Sequence, residues 1–222
     1  MTAASAAFFD LDKTLIDVNS GRLWLEREWR AGNVSVGTAL WAVYWLTKYS
    51  LGHGEIERAF EQATQRYRGV PEAEIAAATT AWFNADVAGR VRAGAREVVE
   101  AHRAAGDVLV LATSSTSYAA AAAAEMLGFP HVIATELDAE DGLLTGRIRA
   151  SALGDAKAER AVDLAARLDL DLGASTFYTD SFTDVALMRL VGRPVAVHPD
   201  RRLRAEANRR GWEIVDWGVS GA

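Results

Sequence analysis

The sequence has no cysteine and an excess of acidic over basic residues. Without cysteine, disulfide bonds, thiolate catalysis and cysteine-ligated metal sites are excluded. Its 30 Asp and Glu against 24 Lys and Arg give a net charge of -6, which argues against a nucleic-acid partner, because such proteins usually carry a basic surface. Residues 1–7 contain no basic residue, so a secretory signal is not expected and the prediction is a cytoplasmic enzyme.

Long hydrophobic runs are also missing. The most apolar stretch, residues 34–51, is shorter than a spanning helix and includes Lys48. It predicts a buried or partner-facing helix and no stable membrane insertion, while an interfacial helix or a lipid-facing surface stays open. No G-x-G-x-x-G run follows a predicted strand, which disfavours a dinucleotide-binding oxidoreductase.

Hydrophobic residues make up 50% of the chain, which is enough for one core and a small cap. Residues 20–90 show only helical patterns, including one over 39–49, with glycine-containing breaks. From residue 91 onward, helical and strand patterns alternate, and Asp141-Gly142 predicts a hairpin turn between Leu137 and Ile148. The pattern predicts an α/β fold, a Rossmann-like doubly wound and mostly parallel sheet with an inserted all-helical cap domain. The predicted core is 1–17 and 91–222, and the cap is 18–90.

Two carboxylates follow the first apolar run, Phe8-Phe9, at Asp10 and Asp12. Open α/β sheets bind ligands at the carboxyl ends of their strands. Alternation puts both side chains on one side of an extended backbone, where they repel each other unless a cation or a shared proton lies between them. Oxygen ligands of this kind suit Mg²⁺. By itself, the pair is also compatible with a turn or a helix cap.

Hydroxyls and a lysine follow later strands. Residues 113–116, Thr-Ser-Ser-Thr, come after the predicted strand 108–112 and before a helix, an arrangement that binds anions; ordinary helix capping is the alternative. Lys157 lies in the first turn of a predicted helix, where the helix dipole disfavours a cation. That position is expected if Lys157 faces a bound phosphate, and a solvated surface lysine is the alternative.

A second pair of carboxylates, Asp180 and Asp184, follows the predicted strand 175–178. One of these residues alone would be a helix cap. Both together complete an oxygen-ligand set with Asp10 and Asp12. All four features then lie at strand ends or helix starts, which makes coincidence a poor explanation.

With these motifs the sequence resembles the haloacid dehalogenase superfamily, in its phosphoserine-phosphatase-like branch with a helical cap. The resemblance extends over essentially the whole chain and implies a Mg²⁺-dependent phosphatase that forms an aspartyl-phosphate. It implies that Asp10 is the nucleophile and Asp12 the general acid/base. Residues 12–14, Asp-Lys-Thr, also resemble the phosphorylated run of ion-pumping ATPases, but no membrane helices accompany them. The remaining implied roles are phosphate binding for Thr113, Ser114 and Lys157, Mg²⁺ ligation for Asp10, Asp12 and Asp180, and support for Thr14 and Asp184.

The expected substrate is a small phosphorylated metabolite. Phosphoserine phosphatases carry a glutamate soon after the first motif, but Asn19 matches that position here and Asp17 is the nearby acid. Phosphoserine itself is therefore not predicted. Two alternative functions stay open: a phosphotransferase that uses the same intermediate, and a non-catalytic module that binds phosphate or a lipid headgroup. A homodimer stays open as the assembly.

Aromatic and basic residues outside these motifs have a simpler interpretation. Most cap tryptophans are expected to form the bundle core, with one or two at the substrate entrance as the alternative. The arginines of the late helix are expected to form a solvated face. The cap tryptophans are Trp24, Trp29, Trp41, Trp45 and Trp82.

Overall fold

The computed structural model describes residues 3–32 and 56–220. The helix predicted over 39–49, the apolar segment 34–51, Trp41 and Trp45 lie outside the described residues. Within the described part, no helix is long and apolar enough to cross a membrane.

The core of the fold is one sheet in the order β4-β3-β2-β1-β5-β6-β7. All neighbouring strands are parallel except β3 and β4, which form an antiparallel hairpin. The predicted doubly wound, mostly parallel sheet is therefore confirmed. The strands are β1 (Ala6–Phe9), β2 (Val108–Thr116), β3 (His131–Glu140), β4 (Leu143–Ala150), β5 (Thr176–Thr179), β6 (Arg193–Val197) and β7 (Glu213–Val215).

Helices cover both faces of this sheet, which explains why the central strands read as unbroken apolar runs. Successive side chains of β1 point to opposite faces. Phe9 packs into one hydrophobic cluster and Phe8 into the other, and neither is accessible to solvent. The helices are α1 (Ser20–Arg30), α2 (Ile56–Thr64), α3 (Glu72–Trp82), α4 (Ala93–Ala105), α5 (Ser117–Leu127), α6 (Asp155–Leu168), α7 (Val185–Met188) and α8 (Arg201–Arg210).

The order of the strands fixes where the site lies. Strand β1 is central, with β2 on one side and β5 on the other. The chain proceeds from β1 outward to β3 and later returns to the other side, so the direction of winding reverses at β1. Ligand crevices of open α/β sheets lie outside the carboxyl ends of the strands at such a reversal.

The hairpin and the predicted cap segment are joined by backbone hydrogen bonds. The predicted hairpin turn lies between Leu137 and Ile148, which pair with each other, and the turn residues Asp141 and Gly142 both have positive φ (51° and 77°). The N–H of Leu144 donates to the carbonyl of residue 70 (2.9 Å), and the carbonyl of Leu144 accepts from the N–H of residue 69 (2.8 Å). The hairpin is therefore joined to the turn that precedes α3.

Several predicted elements have different bounds in the structure, and strand β2 and helix α7 are two examples. Strand β2 continues to Thr116, past the predicted end at 112, because Thr116 pairs with Thr135 of β3 beyond a shift in register. The sequence pattern over 185–191 predicts a helix of seven residues, but α7 ends at Met188. The N–H of Leu190 bonds to the carbonyl of Leu187, a tighter turn that terminates the α-helix.

The cap tryptophans in the described residues do not all form a core. Trp82 is buried, and its ring meets that of Trp24 edge to face with centroids 5.1 Å apart. Trp29, in contrast, is 55% exposed. Five residues along a helix correspond to a rotation of about 140°, so Trp29 lies well away from the face of α1 that carries Trp24.

Candidate active site

An open pocket lies at the carboxyl edge of the sheet, beside β1, β2 and β5. It is lined by seven of the eight residues predicted from the sequence: Asp10, Asp12, Thr113, Ser114, Lys157, Asp180 and Asp184. The eighth, Thr14, is fully buried, and its hydroxyl lies 3.5 Å from Oδ2 of Asp10. The structure therefore brings all eight predicted site residues together at this edge of the sheet.

Lys157 is the basic centre of the pocket. The first turn of α6 positions it, and its side chain is 1% exposed, which rules out the alternative of a solvated surface lysine. The Nζ atom lies 3.1 Å from Oδ1 of Asp10 and 2.8 Å from Oδ1 of Asp184. The hydroxyl of Thr179, at the end of β5, donates to the other oxygen of Asp184 (2.7 Å). Lys157 thus holds Asp10 and Asp184 together.

Negative charge exceeds positive charge around Asp10. Burial raises the pKa of the Asp10 carboxyl to about 7, against the lowering effect of Lys157, and the charges of Asp184 and Asp12 raise it further. Burial, followed by the charge of Asp10, also raises the pKa of Asp180 well above its ordinary value. A site with this imbalance favours an additional cation.

The donor set of the pocket consists of oxygens. Asp10 and Asp180 supply carboxylates, and Asp12 lines the same pocket. In the described residues, no three His, Cys, Asp or Glu side chains converge tightly enough to form a metal cage by themselves. A hard cation that takes one or two carboxylates and otherwise binds water and phosphate needs no such cage. The residues present fit Mg²⁺.

Asp12 is held between the core and the start of α1. Its Oδ1 accepts from the backbone N–H of Ser20 (2.8 Å), and its Oδ2 accepts from the hydroxyl of Ser115 (3.0 Å). Burial raises the pKa of the Asp12 carboxyl, and these hydrogen bonds lower it. The sequence does not reveal the contact between Ser115 and Asp12, because the two residues lie 103 positions apart.

The loop at the end of β2 is ordered by its own hydrogen bonds. The N–H of Ser115 donates to Oγ1 of Thr113 (3.1 Å), and the hydroxyl of Ser114 donates to the carbonyl of Ala152 (3.1 Å). Thr116, the N-cap residue of α5, makes no capping hydrogen bond through its side chain. Simple capping therefore does not explain these hydroxyls, and Thr113 and Ser114 line the pocket instead.

Two residues near the pocket have structural partners. Oδ1 of Asn19 accepts from the N–H of Arg22 (2.9 Å), so Asn19 caps α1 while it lines the pocket. Oδ2 of Asp17 accepts from both the N–H and the hydroxyl of Ser220 (3.0 and 2.7 Å). Asp17 therefore interacts with the C-terminal segment, which counts against its role as a substitute for the expected glutamate.

Asp200 is a site residue that the sequence analysis missed. Its Oδ2 accepts from the N–H of Phe182 (2.9 Å), and its own N–H donates to the carbonyl of Asp180 (2.8 Å). It thereby fixes the loop that carries Asp180. Its position one residue before α8, where Oδ1 also caps the helix, was the available signal.

Fold and site together define an α/β enzyme with buried carboxylates and a lysine at the switch point of a doubly wound sheet. The chain belongs to the haloacid dehalogenase-like hydrolase family, whose profile matches residues 7–189. The resemblance stated from the motifs and the expectation of a phosphatase of this type are confirmed.

Individual relatives support the same family. The chain is 33% identical over 217 residues to the inhibition of morphological differentiation protein of Streptomyces azureus, covering 96% of this chain and 78% of that one. It is 32% identical over 225 residues to a phosphoserine phosphatase of Mycobacterium tuberculosis, covering 97% and 72%. A solved structure of a protein with unknown function from Bordetella pertussis superimposes with a TM-score of 0.86 at 32% identity, covering 98% of this chain and 100% of that one.

Proposed function

We propose that this protein is a Mg²⁺-dependent phosphatase that hydrolyses a small phosphomonoester through an aspartyl-phosphate on Asp10. The observation that carries the proposal is the buried contact of Lys157 with Asp10 and Asp184, next to Asp12 and Thr113 in one pocket. A buried lysine beside a nucleophilic carboxylate neutralises charge where a phosphoryl group gains it.

In the first half of the reaction, Asp10 acts as the nucleophile. A carboxylate oxygen of Asp10 forms a bond to phosphorus while the bond from phosphorus to the ester oxygen breaks. Asp12 gives its proton to that leaving oxygen, so the product departs as a neutral alcohol. Lys157, the hydroxyl of Thr113 and the loop at Ser114 stabilise the transferring group.

In the second half, water hydrolyses the aspartyl-phosphate. Asp12, now ionised, removes a proton from the attacking water, whose oxygen forms the new bond to phosphorus. The bond between phosphorus and Asp10 breaks, and inorganic phosphate and both carboxyl groups are regenerated. Division into two displacements replaces one difficult hydrolysis by two easier steps.

Asp10, Asp180 and the backbone carbonyl of Asp12 would hold the Mg²⁺ ion. When bound, the ion neutralises the negative charge of the phosphoryl oxygens and orients them toward the nucleophile. The raised pKa of Asp10, about 7, is consistent with a carboxylate that needs this additional cation to remain ionised.

The cap and the substrate class belong to the same proposal. Residues 18–90 would form the cap that covers the pocket, and the substrate would be a small phosphorylated metabolite in the cytoplasm. Asn19 stands where phosphoserine phosphatases carry a glutamate, and it already caps α1. A neutral amide does not offset the charge of an ammonium group, so we infer a substrate other than phosphoserine.

The direct test is hydrolysis of 4-nitrophenyl phosphate with Mg²⁺ by the wild type and by Asp10→Asn. We expect turnover in the wild type and a loss of at least about a thousandfold in the variant, since removal of a covalent nucleophile usually has such an effect. Added alcohols distinguish hydrolysis from phosphotransfer, because a transferase would yield a new phosphate ester. Equal turnover by both proteins would show that Asp10 is not the nucleophile.

A further inference from the structure

Asp12 accepts hydrogen bonds from two residues that lie in different parts of the fold. The N–H of Ser20, the first residue of α1, lies 2.8 Å from Oδ1, and the hydroxyl of Ser115, near the end of β2, lies 3.0 Å from Oδ2. One donor on each oxygen fixes the plane of the carboxylate. Rotation about its side-chain torsions would break at least one of these contacts.

The hydroxyl of Ser115 is itself held in place. It has a single hydrogen, which it donates to Asp12, so only its oxygen lone pairs are available to a second partner. Oγ of Ser20 lies 3.1 Å from Oγ of Ser115, and Ser20 is 2% exposed. The hydroxyls of Ser20 and Ser115 are thus in contact with each other, and hydrogen bonds from both side chains lower the pKa of Asp12.

The loop that contains Ser115 does not need this hydroxyl for its own conformation. The N–H of Ser115 already bonds to Oγ1 of Thr113, and the carbonyl of Ser114 accepts from the hydroxyl of Thr135 (3.0 Å). The backbone of this loop is thus fixed by other groups. What the Ser115 hydroxyl adds is its contact with Asp12.

We propose that Ser115 is a positioning residue that aims the carboxyl group of Asp12 at the leaving oxygen of the substrate. This inference rests on the proposed function, in which Asp12 is the general acid. In that step the proton passes from Asp12 to the ester oxygen as its bond to phosphorus breaks, and Asp10 forms the new bond. A misdirected Asp12 slows only the steps that need its proton transfer.

The role of Ser115 can be tested by comparing substrates whose leaving groups differ in basicity. A nitrophenolate departs without protonation, whereas an alkoxide is a strong base and requires a proton as it leaves. Loss of the Ser115 hydroxyl should therefore slow attack on an alkyl phosphate more than attack on a nitrophenyl phosphate. A general disturbance of phosphate binding would slow both equally, because the phosphoryl group is the same in the two esters.

The experiment compares kcat/KM for 4-nitrophenyl phosphate, phenyl phosphate and glycerol 2-phosphate, since this constant reports the first phosphoryl transfer. For Ser115→Ala we expect kcat/KM for glycerol 2-phosphate to fall about tenfold more than kcat/KM for the nitrophenyl ester. This factor is smaller than the rate acceleration that general acid catalysis usually contributes, because Asp12 is misdirected and not removed. Ser115→Thr retains a hydroxyl and should restore most of the difference. Ser114→Ala, one residue earlier in the same loop, should lower all three constants by a similar factor.

The outcomes separate the two levels of the proposal. A wild type that hydrolyses the esters, together with a Ser115→Ala loss that is the same for every leaving group or absent, would overturn the role of Ser115 alone. A wild type that hydrolyses none of them, or an Asp10→Asn variant that retains turnover, would overturn the proposed function and the role of Ser115 with it.

Discussion

At the residue scale, the chemistry proposed for this protein depends on the buried charged groups Asp10, Lys157, Asp180 and Asp184. Asp10 and Asp180 follow apolar strands, and Lys157 occupies a helix position where a cation is unfavourable unless it has a partner. The structure shows two such partners, since Nζ of Lys157 lies 3.1 Å from Oδ1 of Asp10 and 2.8 Å from Oδ1 of Asp184. Local signals of this kind are visible in sequence because each involves only one strand end or one helix start.

Contacts between distant residues were not accessible in this way. Ser115 lies 103 positions from Asp12, and its hydroxyl contact depends on how β1 and β2 align. Nothing in the run from 113 to 116 distinguishes the hydroxyl that binds Asp12 from those that line the pocket. The sequence therefore predicts that the loop 113–116 belongs to the site, but the contact of each hydroxyl in this loop depends on the packing of the sheet.

The first prediction at this scale concerns the repulsion around Asp180. Asp180→Asn removes a buried carboxylate whose pKa is raised by burial and by Asp10. We expect the metal-free variant to melt about 2–4 °C above the metal-free wild type, which corresponds to about 1 kcal/mol for a chain of this size. We also expect Mg²⁺ to raise the melting temperature of the wild type, and that of the variant much less.

The measurement is thermal denaturation in EDTA and in excess Mg²⁺. Asp163→Asn, the same change at an exposed position of α6, serves as the control and should leave both melting temperatures near those of the wild type. An Asp180→Asn variant that is less stable than the wild type in EDTA would refute the account of this charge cluster.

At the scale of elements, strand and helix types followed from hydrophobic periodicity, while their ends did not. The hairpin turn at Asp141-Gly142 was predicted because this dipeptide accepts positive φ at both positions. The end of α7 at Met188 depends on one tightened turn, which competes with a helical pattern that continues to residue 191. A single hydrogen bond decides where such a helix ends, and hydrophobic periodicity does not locate helix ends to within one or two residues.

The late helix α8 shows how an exposed charged face is organised. Arg209 and Arg210 are exposed, as expected for a solvated face, but both also contact Glu206 (2.6 and 2.5 Å). Arg189, just after α7, contacts the same carboxylate (3.1 Å). Hydrogen bonds from Arg210 and Arg209 lower the pKa of Glu206 from 4.5 to about 2.

The prediction for these helices is a pH-dependent loss of stability in Glu206→Gln. A lowered carboxyl pKa stabilises the folded protein above the unfolded-state value of 4.5, and the effect is lost as the pH falls toward about 2. The variant should therefore be less stable than the wild type at pH 7. The difference should shrink as the pH decreases below 4.5.

Urea denaturation at pH 7, 4 and 3 measures this difference above and below pH 4.5. Glu97→Gln, at an exposed position of α4, controls for the loss of one negative charge and should show no such trend. A Glu206→Gln difference that is independent of pH would show that the arginine contacts do not stabilise the ionised carboxylate.

At the scale of the whole molecule, the reversal of winding at β1 places the ends of β1, β2 and β5 beside each other. The alternation of strand and helix patterns along the chain predicts a doubly wound sheet, but it does not predict the order of the strands in that sheet. The division into a core and a cap over 18–90 remains a prediction. The substrate also remains outside the reach of sequence, because it depends on which side chains face the pocket.

The central claim is an aspartyl-phosphate on Asp10, and its most direct test is chemical trapping during turnover. Acid quench followed by borohydride reduction converts an aspartyl-phosphate to homoserine, and peptide mass spectrometry then locates the modified residue. The account predicts homoserine at position 10 in the wild type, with none in Asp10→Asn. Homoserine at position 12, or full turnover with no modified aspartate under any quench time, would contradict it.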